Sequence, residues 1–171
     1  MTHLDGLRRS VLLGIATGIH SMTGMAFLSW SALQGRPDLA QSPLRVISKP
    51  EVAILILLAA CAEVVADKFP FLPSRTAPAP LAGRIVIGAL AGGVSHAYPN
   101  VDRPDGRRGR ALLGAAAGAS STAVSAFALH SLRKLLTERF SVPQAVAGVV
   151  DSIVAILTAR AAIRSRSAGR G

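Results

Sequence analysis

Long stretches without formal charge alternate along this chain with short basic or proline-rich stretches. Of 171 residues, 19 are Lys or Arg, yet five apolar segments carry at most one charge apiece: 10–35, 52–66, 85–101, 111–132 and 140–159. A helix that crosses a bilayer needs about 20 largely apolar residues, a length that the second segment reaches only when extended to 50–69. The pattern predicts an all-α, polytopic integral membrane helix bundle with about five transmembrane helices, within a range of four to six.

The composition favours helices that pack closely in lipid. Half of the residues are hydrophobic, only 4% are aromatic, and 16 are glycine. Small residues let helix backbones approach one another in a membrane. A soluble, alanine-rich bundle is the alternative, but its helices would show a polar face, and these segments do not. We expect a single transmembrane domain over residues 1–163 and a basic, disordered tail over 164–171.

The net charge of +10 raises the question of nucleic-acid binding. The basic residues, however, flank the apolar segments instead of forming one patch, which is typical of membrane anchors. We therefore predict the lipid bilayer as the partner and no nucleic acid. Cys61 is the only cysteine, so no disulfide can form within the chain.

Two apolar stretches resemble each other at an offset of 100 residues. Residues 12–27 and 112–127 agree at 8 of 16 positions, among them Gly14 with Gly114 and Gly18 with Gly118. A spacing of four, repeated at Gly88 and Gly92, places each glycine pair on one helix face. We predict that these six glycines are helix-packing positions; the alternative is that Gly-rich helices produce such spacings by chance.

The number of spans between the two copies determines their relative direction in the membrane. If the two copies are the first and fourth spans, three crossings separate their starts and the two helices run antiparallel. That arrangement would be an inverted repeat of a glycine-ladder helix, as found in many secondary transporters.

Four further stretches carry a family resemblance: GIHSMTGMA at 18–26, AEVVADKFP at 62–70, PSRTAP at 73–78 and GRIVIGA at 83–89. Together they resemble the small bacterial integral membrane proteins of the domain of unknown function 4126 family, over roughly residues 14–151. Members of that family usually have Arg where His20 stands. The resemblance implies a multi-pass protein of the bacterial inner membrane and transfers no catalytic residue.

Glu63 and Asp67 are the first candidates for a polar site. They lie four residues apart, so they share a helix face and repel one another. Ionised carboxylates are costly in lipid and mark functional sites by default, so a proton, a cation or a basic partner is expected. Two carboxylates do not fill a metal coordination sphere, and we predict no metal site. The alternative is an interfacial cluster neutralised by Lys68, Arg75 or Arg84.

Asp151 is the acid placed most centrally in an apolar segment. Its expected partners are the polar residues of the glycine-ladder helices, namely His20, Ser21, Ser121 and Thr122. Because histidine titrates near neutral pH, a proton relay through His20 is one interpretation. Simple structural hydrogen bonds at Asp151 and His20 are the other.

The chain contains no nucleophile–base arrangement, zinc spacing, Walker loop or dinucleotide fingerprint. We therefore expect no enzyme activity and no cofactor. The leading hypothesis is the handling of a small solute or ion, a proton or cation, through the intramembrane polar site, with a homo-oligomer as one arrangement. The alternative is a non-catalytic membrane scaffold or assembly protein that binds partner helices through its glycine faces. A cavity lined by Glu63 and Asp151 favours transport, whereas a solid bundle with both acids paired to arginines favours the scaffold.

Overall fold

The computed structural model describes residues 3–34, 42, 44–66, 77–97 and 106–164, and these ranges are helical throughout apart from turns. Six α-helices form there: α1 His3–Ile19, α2 Thr23–Leu33, α3 Pro50–Ala66, α4 Pro78–Ala97, α5 Arg107–Phe140 and α6 Gln144–Arg164. A short 3-10 helix, Arg45–Ser48, precedes α3. The all-α class predicted from the sequence is confirmed.

Three of the helices in the described ranges are long and apolar enough to cross a membrane: Pro78–Ala97, Arg107–Phe140 and Val146–Ile163. They correspond to the third, fourth and fifth apolar segments of the sequence. The finding suggests a membrane protein. Helix α3 covers the second apolar segment with 17 residues.

The first apolar segment departs from the prediction of one continuous span. A turn at residues 20–22 divides it into α1, of 17 residues, and α2, of 11 residues. Helix α2 folds back on α1, because a Cβ added at Gly24 would overlap Thr17 Oγ1 and lie 3.1 Å from the Leu13 carbonyl oxygen. The prediction of a single helix over 10–35 is therefore wrong, and α1 and α2 form a helical hairpin.

Helices α1, α4 and α5 meet through the predicted glycine faces. All six ladder glycines are buried. A Cβ added at Gly118 would lie 3.1 Å from the Gly92 Cα, and one added at Gly14 would lie 3.0 Å from the Gly118 Cα. Thr122 Oγ1 donates a hydrogen bond across the interface to the Gly14 carbonyl oxygen (2.9 Å). All six glycines therefore lie where these three helices approach one another closely.

The directions of these helices follow from the same contacts. Gly14 faces Gly118 and Gly18 faces Thr122, so α1 and α5 are parallel. Gly88 faces Thr122 and Gly92 faces Gly114, so α4 runs antiparallel to both. The predicted inverted repeat is therefore wrong. The hairpin turn adds one chain reversal that the count of apolar segments does not reveal.

Helix α6 packs on α1 through small residues and leaves its other face open. Ala155, Ala159 and Ala162 are fully buried, whereas Ile153 and Leu157 are more than half exposed. Helix α3 buries only Ala53 and Ala60. An apolar outer surface of this extent is unusual for a soluble monomer and suits contact with lipid or with other helices.

Candidate functional site

The hairpin turn at residues 20–22 is a polar break inside an apolar bundle. The last carbonyl groups of α1 and the first N–H groups of α2 have no partner within their own helices. In lipid, each such group must be satisfied by other protein groups. Glu63 from α3 and Arg84 from α4 provide these hydrogen-bond partners.

The Glu63 carboxylate binds the start of α2. The Ser21 backbone N–H and the Ser21 hydroxyl each donate to Oε1 at 2.7 Å, and the Met22 N–H donates to Oε2 at 2.9 Å. The Glu63 side chain is 15% exposed. A negative charge at a helix N-terminus is also stabilised by the helix dipole. Glu63 therefore satisfies the turn by hydrogen bonding and by charge.

The Arg84 guanidinium binds the end of α1. Nη1 donates to the carbonyl oxygens of Gly18 (3.1 Å) and Ile19 (3.2 Å). Nη2 donates to Glu63 Oε1 at 3.2 Å, which makes a nearly buried ion pair, since the Arg84 side chain is 8% exposed. A positive charge suits the negative end of a helix dipole. The two opposite charges thus match the two helix ends that meet at the turn.

This site lies level with the seventh residue of two candidate membrane spans. Arg84 is the seventh residue of α4, and Ser152 is the seventh residue of the apolar part of α6 that begins at Val146. With a rise of about 1.5 Å per residue, both residues lie about 9 Å from the start of their apolar stretches. If α4 and α6 cross a bilayer, the site lies within the hydrocarbon layer.

A second polar contact joins the turn to α6. His20 is buried, and a hydrogen bond joins its Nε2 to Ser152 Oγ at 3.1 Å. The neighbouring Asp151 is buried and lies 3.9 Å from the Arg133 guanidinium, measured from Oδ2 to Nη1. The turn thus has one polar contact to α3 and α4 through Glu63 and Arg84 and another to α6 through Ser152, and the residue next to Ser152, Asp151, is paired with Arg133.

Among the described residues, the structure brings one pair of the predicted site residues into direct contact. Glu63 contacts Ser21 directly, and His20 reaches the residue beside Asp151. Ser121 lies elsewhere: its hydroxyl donates to the carbonyl oxygens of Ala117 and Gly118 in its own helix. Asp67 falls outside the described residues.

Sequence reasoning missed Arg133, Ser152 and the backbone groups of the turn, and it gave Arg84 only as an alternative partner of Glu63. The available signal for the turn was the run of weak helix formers between Thr17 and Gly24. Arg133 directly follows the fourth apolar segment, where a long basic side chain is expected to snorkel towards water. Nothing in the sequence indicates that it reaches α6.

A cavity of about 330 Å³ lies between α2 and α3, and its lining is apolar, with side chains that include Phe27, Trp30, Leu33, Ala53, Ile54 and Leu57. Neither Glu63 nor Asp151 lines it. The polar site and this cleft are therefore separate features, although both involve the hairpin and α3.

Comparison of the chain with protein-family models, curated proteins and solved structures finds no match. The resemblance to the domain of unknown function 4126 family stays a prediction.

Proposed function

We propose that this chain is a non-catalytic membrane scaffold or assembly protein that binds other membrane helices, with the bacterial inner membrane as its expected location. The observation that carries the proposal is the pairing of both intramembrane acids with arginines: Glu63 with Arg84 at 3.2 Å and Asp151 with Arg133 at 3.9 Å. Acids used in this way hold helices in place instead of presenting charge to a solute.

Partner helices would use the outer surface of the bundle. The six ladder glycines are occupied by contacts between α1, α4 and α5, so they offer no face to another chain. Helix α6, by contrast, exposes Ile153 and Leu157 on the side away from α1. Association in lipid rests on packing between such surfaces.

A crosslinking experiment tests the scaffold directly. A photoreactive residue placed at Ile153 or Leu157 of the full chain, expressed in bacterial membranes, is expected to give a discrete adduct with another protein. The same residue at the fully buried Ala155 serves as the matched control and gives none. Adducts with lipid alone at both exposed positions would contradict the proposal.

Proton or cation handling is the second candidate, and the presence of the polar groups Glu63, His20 and Asp151 at and near the turn favours it. Discontinuous helices with a charged group at the break are a feature of transporter sites. The purified protein in vesicles with a trapped pH dye separates the candidates. A scaffold gives the proton flux of protein-free vesicles. Flux that E63Q and D151N abolish and E51Q retains would replace the scaffold with ion handling.

A further inference from the structure

The cleft between α2 and α3 is bounded by two antiparallel helices. The end of α3 reaches the start of α2 through Glu63, and the 3-10 helix before α3 lies beside α2, where Ser29 Oγ donates to the Ile47 carbonyl oxygen. The cleft therefore runs from the polar turn at one end to the 3-10 helix at the other. Its volume of about 330 Å³ falls within the range of small-ligand cavities, about 300–1,000 Å³.

Two cations lie at the end of the cleft that is remote from the turn. Arg45 belongs to the 3-10 helix and Lys49 directly precedes α3, and both are exposed. Lys49 lies four residues before Ala53, which lines the cleft, and its carbonyl oxygen accepts the Ala53 N–H at 2.9 Å. Glu51 is also exposed near this end, so the described residues there carry two positive charges and one negative charge.

The depth of this end fits a lipid headgroup. Ser29, the seventh residue of α2, contacts the 3-10 helix, so that helix lies about 9 Å beyond the turn in the direction of α4. Its level is therefore about 18 Å along α4, which has 20 residues and is about 30 Å long. From this level the long, exposed side chains of Arg45 and Lys49 can extend toward the far boundary of the hydrocarbon layer, whose usual thickness is about 30 Å.

We propose that this cleft binds one anionic phospholipid, with an acyl chain between α2 and α3 and the phosphate beside Arg45 and Lys49. An acyl chain suits a cleft whose lining is apolar, and basic groups at the headgroup level attract anionic lipids. The proposal rests on the membrane location given above. It does not depend on whether the protein is a scaffold or an ion carrier.

The single tryptophan of the chain reports on this site directly. Trp30 lines the cleft and is 57% exposed. A bromine-labelled acyl chain in contact with Trp30 quenches its fluorescence. The full-length protein is reconstituted in phosphatidylcholine vesicles in which a small, fixed fraction of the lipid is brominated phosphatidylglycerol. A parallel sample contains brominated phosphatidylcholine instead.

We expect brominated phosphatidylglycerol to be enriched at Trp30 by about fivefold over brominated phosphatidylcholine. The double variant R45Q/K49Q is expected to lose this preference, and E51Q to increase it. The matched control K134Q/R139Q removes two cations from exposed positions near the end of α5, so it should leave the preference unchanged.

Three outcomes would overturn the proposal, and they are distinguishable. Equal quenching by both lipids would show that the cleft has no headgroup preference. Weak quenching by both lipids that strengthens as the protein is diluted in lipid would assign the cleft to a second copy of this chain. An absence of quenching at every dilution, with emission typical of tryptophan in water, would contradict the membrane location itself.

Discussion

The close approach of α4 and α5 at Gly118 makes a sharp prediction for the variant Gly118→Ala. The added Cβ would overlap the Gly88 carbonyl oxygen and lie 3.1 Å from both the Gly88 carbonyl carbon and the Gly92 Cα. These are backbone atoms, which cannot move aside by a change of rotamer as a side chain can. Carbon atoms in ordinary contact are about 3.5–4.0 Å apart, so the two helices must separate by about 1 Å. Such overpacking typically costs about 1–3 kcal/mol.

The matched control is an exposed glycine on one of the same two helices. A Cβ added at Gly83, in the exposed face of α4, meets nothing within 4 Å. Gly83→Ala should therefore stabilise the protein by about 0.5–1 kcal/mol, because alanine loses less backbone entropy than glycine on forming a helix. The two substitutions are chemically identical but are expected to have opposite signs.

The measurement is reversible unfolding in mixed micelles as the fraction of denaturing detergent is raised, followed by the emission of Trp30. Gly118→Ala should move the midpoint to a lower detergent fraction and Gly83→Ala to a higher one. Equal midpoints for the two variants would refute the glycine-mediated contact between α4 and α5.

Three further predictions use the same unfolding assay. Glu63→Gln should lower the free energy of unfolding by about 3 kcal/mol, because it leaves a buried arginine charge uncompensated. The control Glu51→Gln, at an exposed position, should change the free energy of unfolding by less than about 0.5 kcal/mol. Equal effects of the two substitutions would contradict the role of Glu63 as a cap of the turn. Thr122→Val should lower the free energy of unfolding by about 0.6–1.7 kcal/mol, because the hydrogen bond to α1 is lost. Thr158→Val loses only a hydrogen bond within α6 and should lower it by less. Ser141→Gly should stabilise the end of α5 by about 1 kcal/mol, because Ser141 has a left-handed φ of 51°; an unchanged midpoint would argue against that conformation.

The helix-packing positions could be predicted from the sequence, whereas the helix directions could not. A glycine spacing of four places the residues on one helix face whatever that face contacts, and Gly14, Gly92 and Gly118 lie on faces that approach other helices closely. Direction depends on the number of chain reversals between two helices. An uncharged segment shows that charge is excluded there but does not show whether the helix within it is continuous.

The hairpin turn illustrates what hydropathy misses. His20, Ser21 and Met22 carry no formal charge, so the segment scores as a single long apolar run. Its break is stabilised by side chains that lie far along the chain, on α3 and α4. Glu63 was recognisable as an unusual acid in an apolar segment, but its use as a cap for backbone N–H groups depends on tertiary contacts that no local pattern records.

The sequence distance of the caps has a consequence for biosynthesis. Glu63 lies 42 residues after Ser21, and Arg84 lies 66 residues after Gly18, to which it donates. When α1 and α2 leave the ribosome, neither cap has emerged with them, so the unpaired N–H and C=O groups of the turn are exposed. In lipid each of these groups would cost several kcal/mol. If the bundle lies in a membrane, stable insertion of the hairpin is therefore expected only after α3 and α4 have emerged, so the order of insertion would differ from the order of translation.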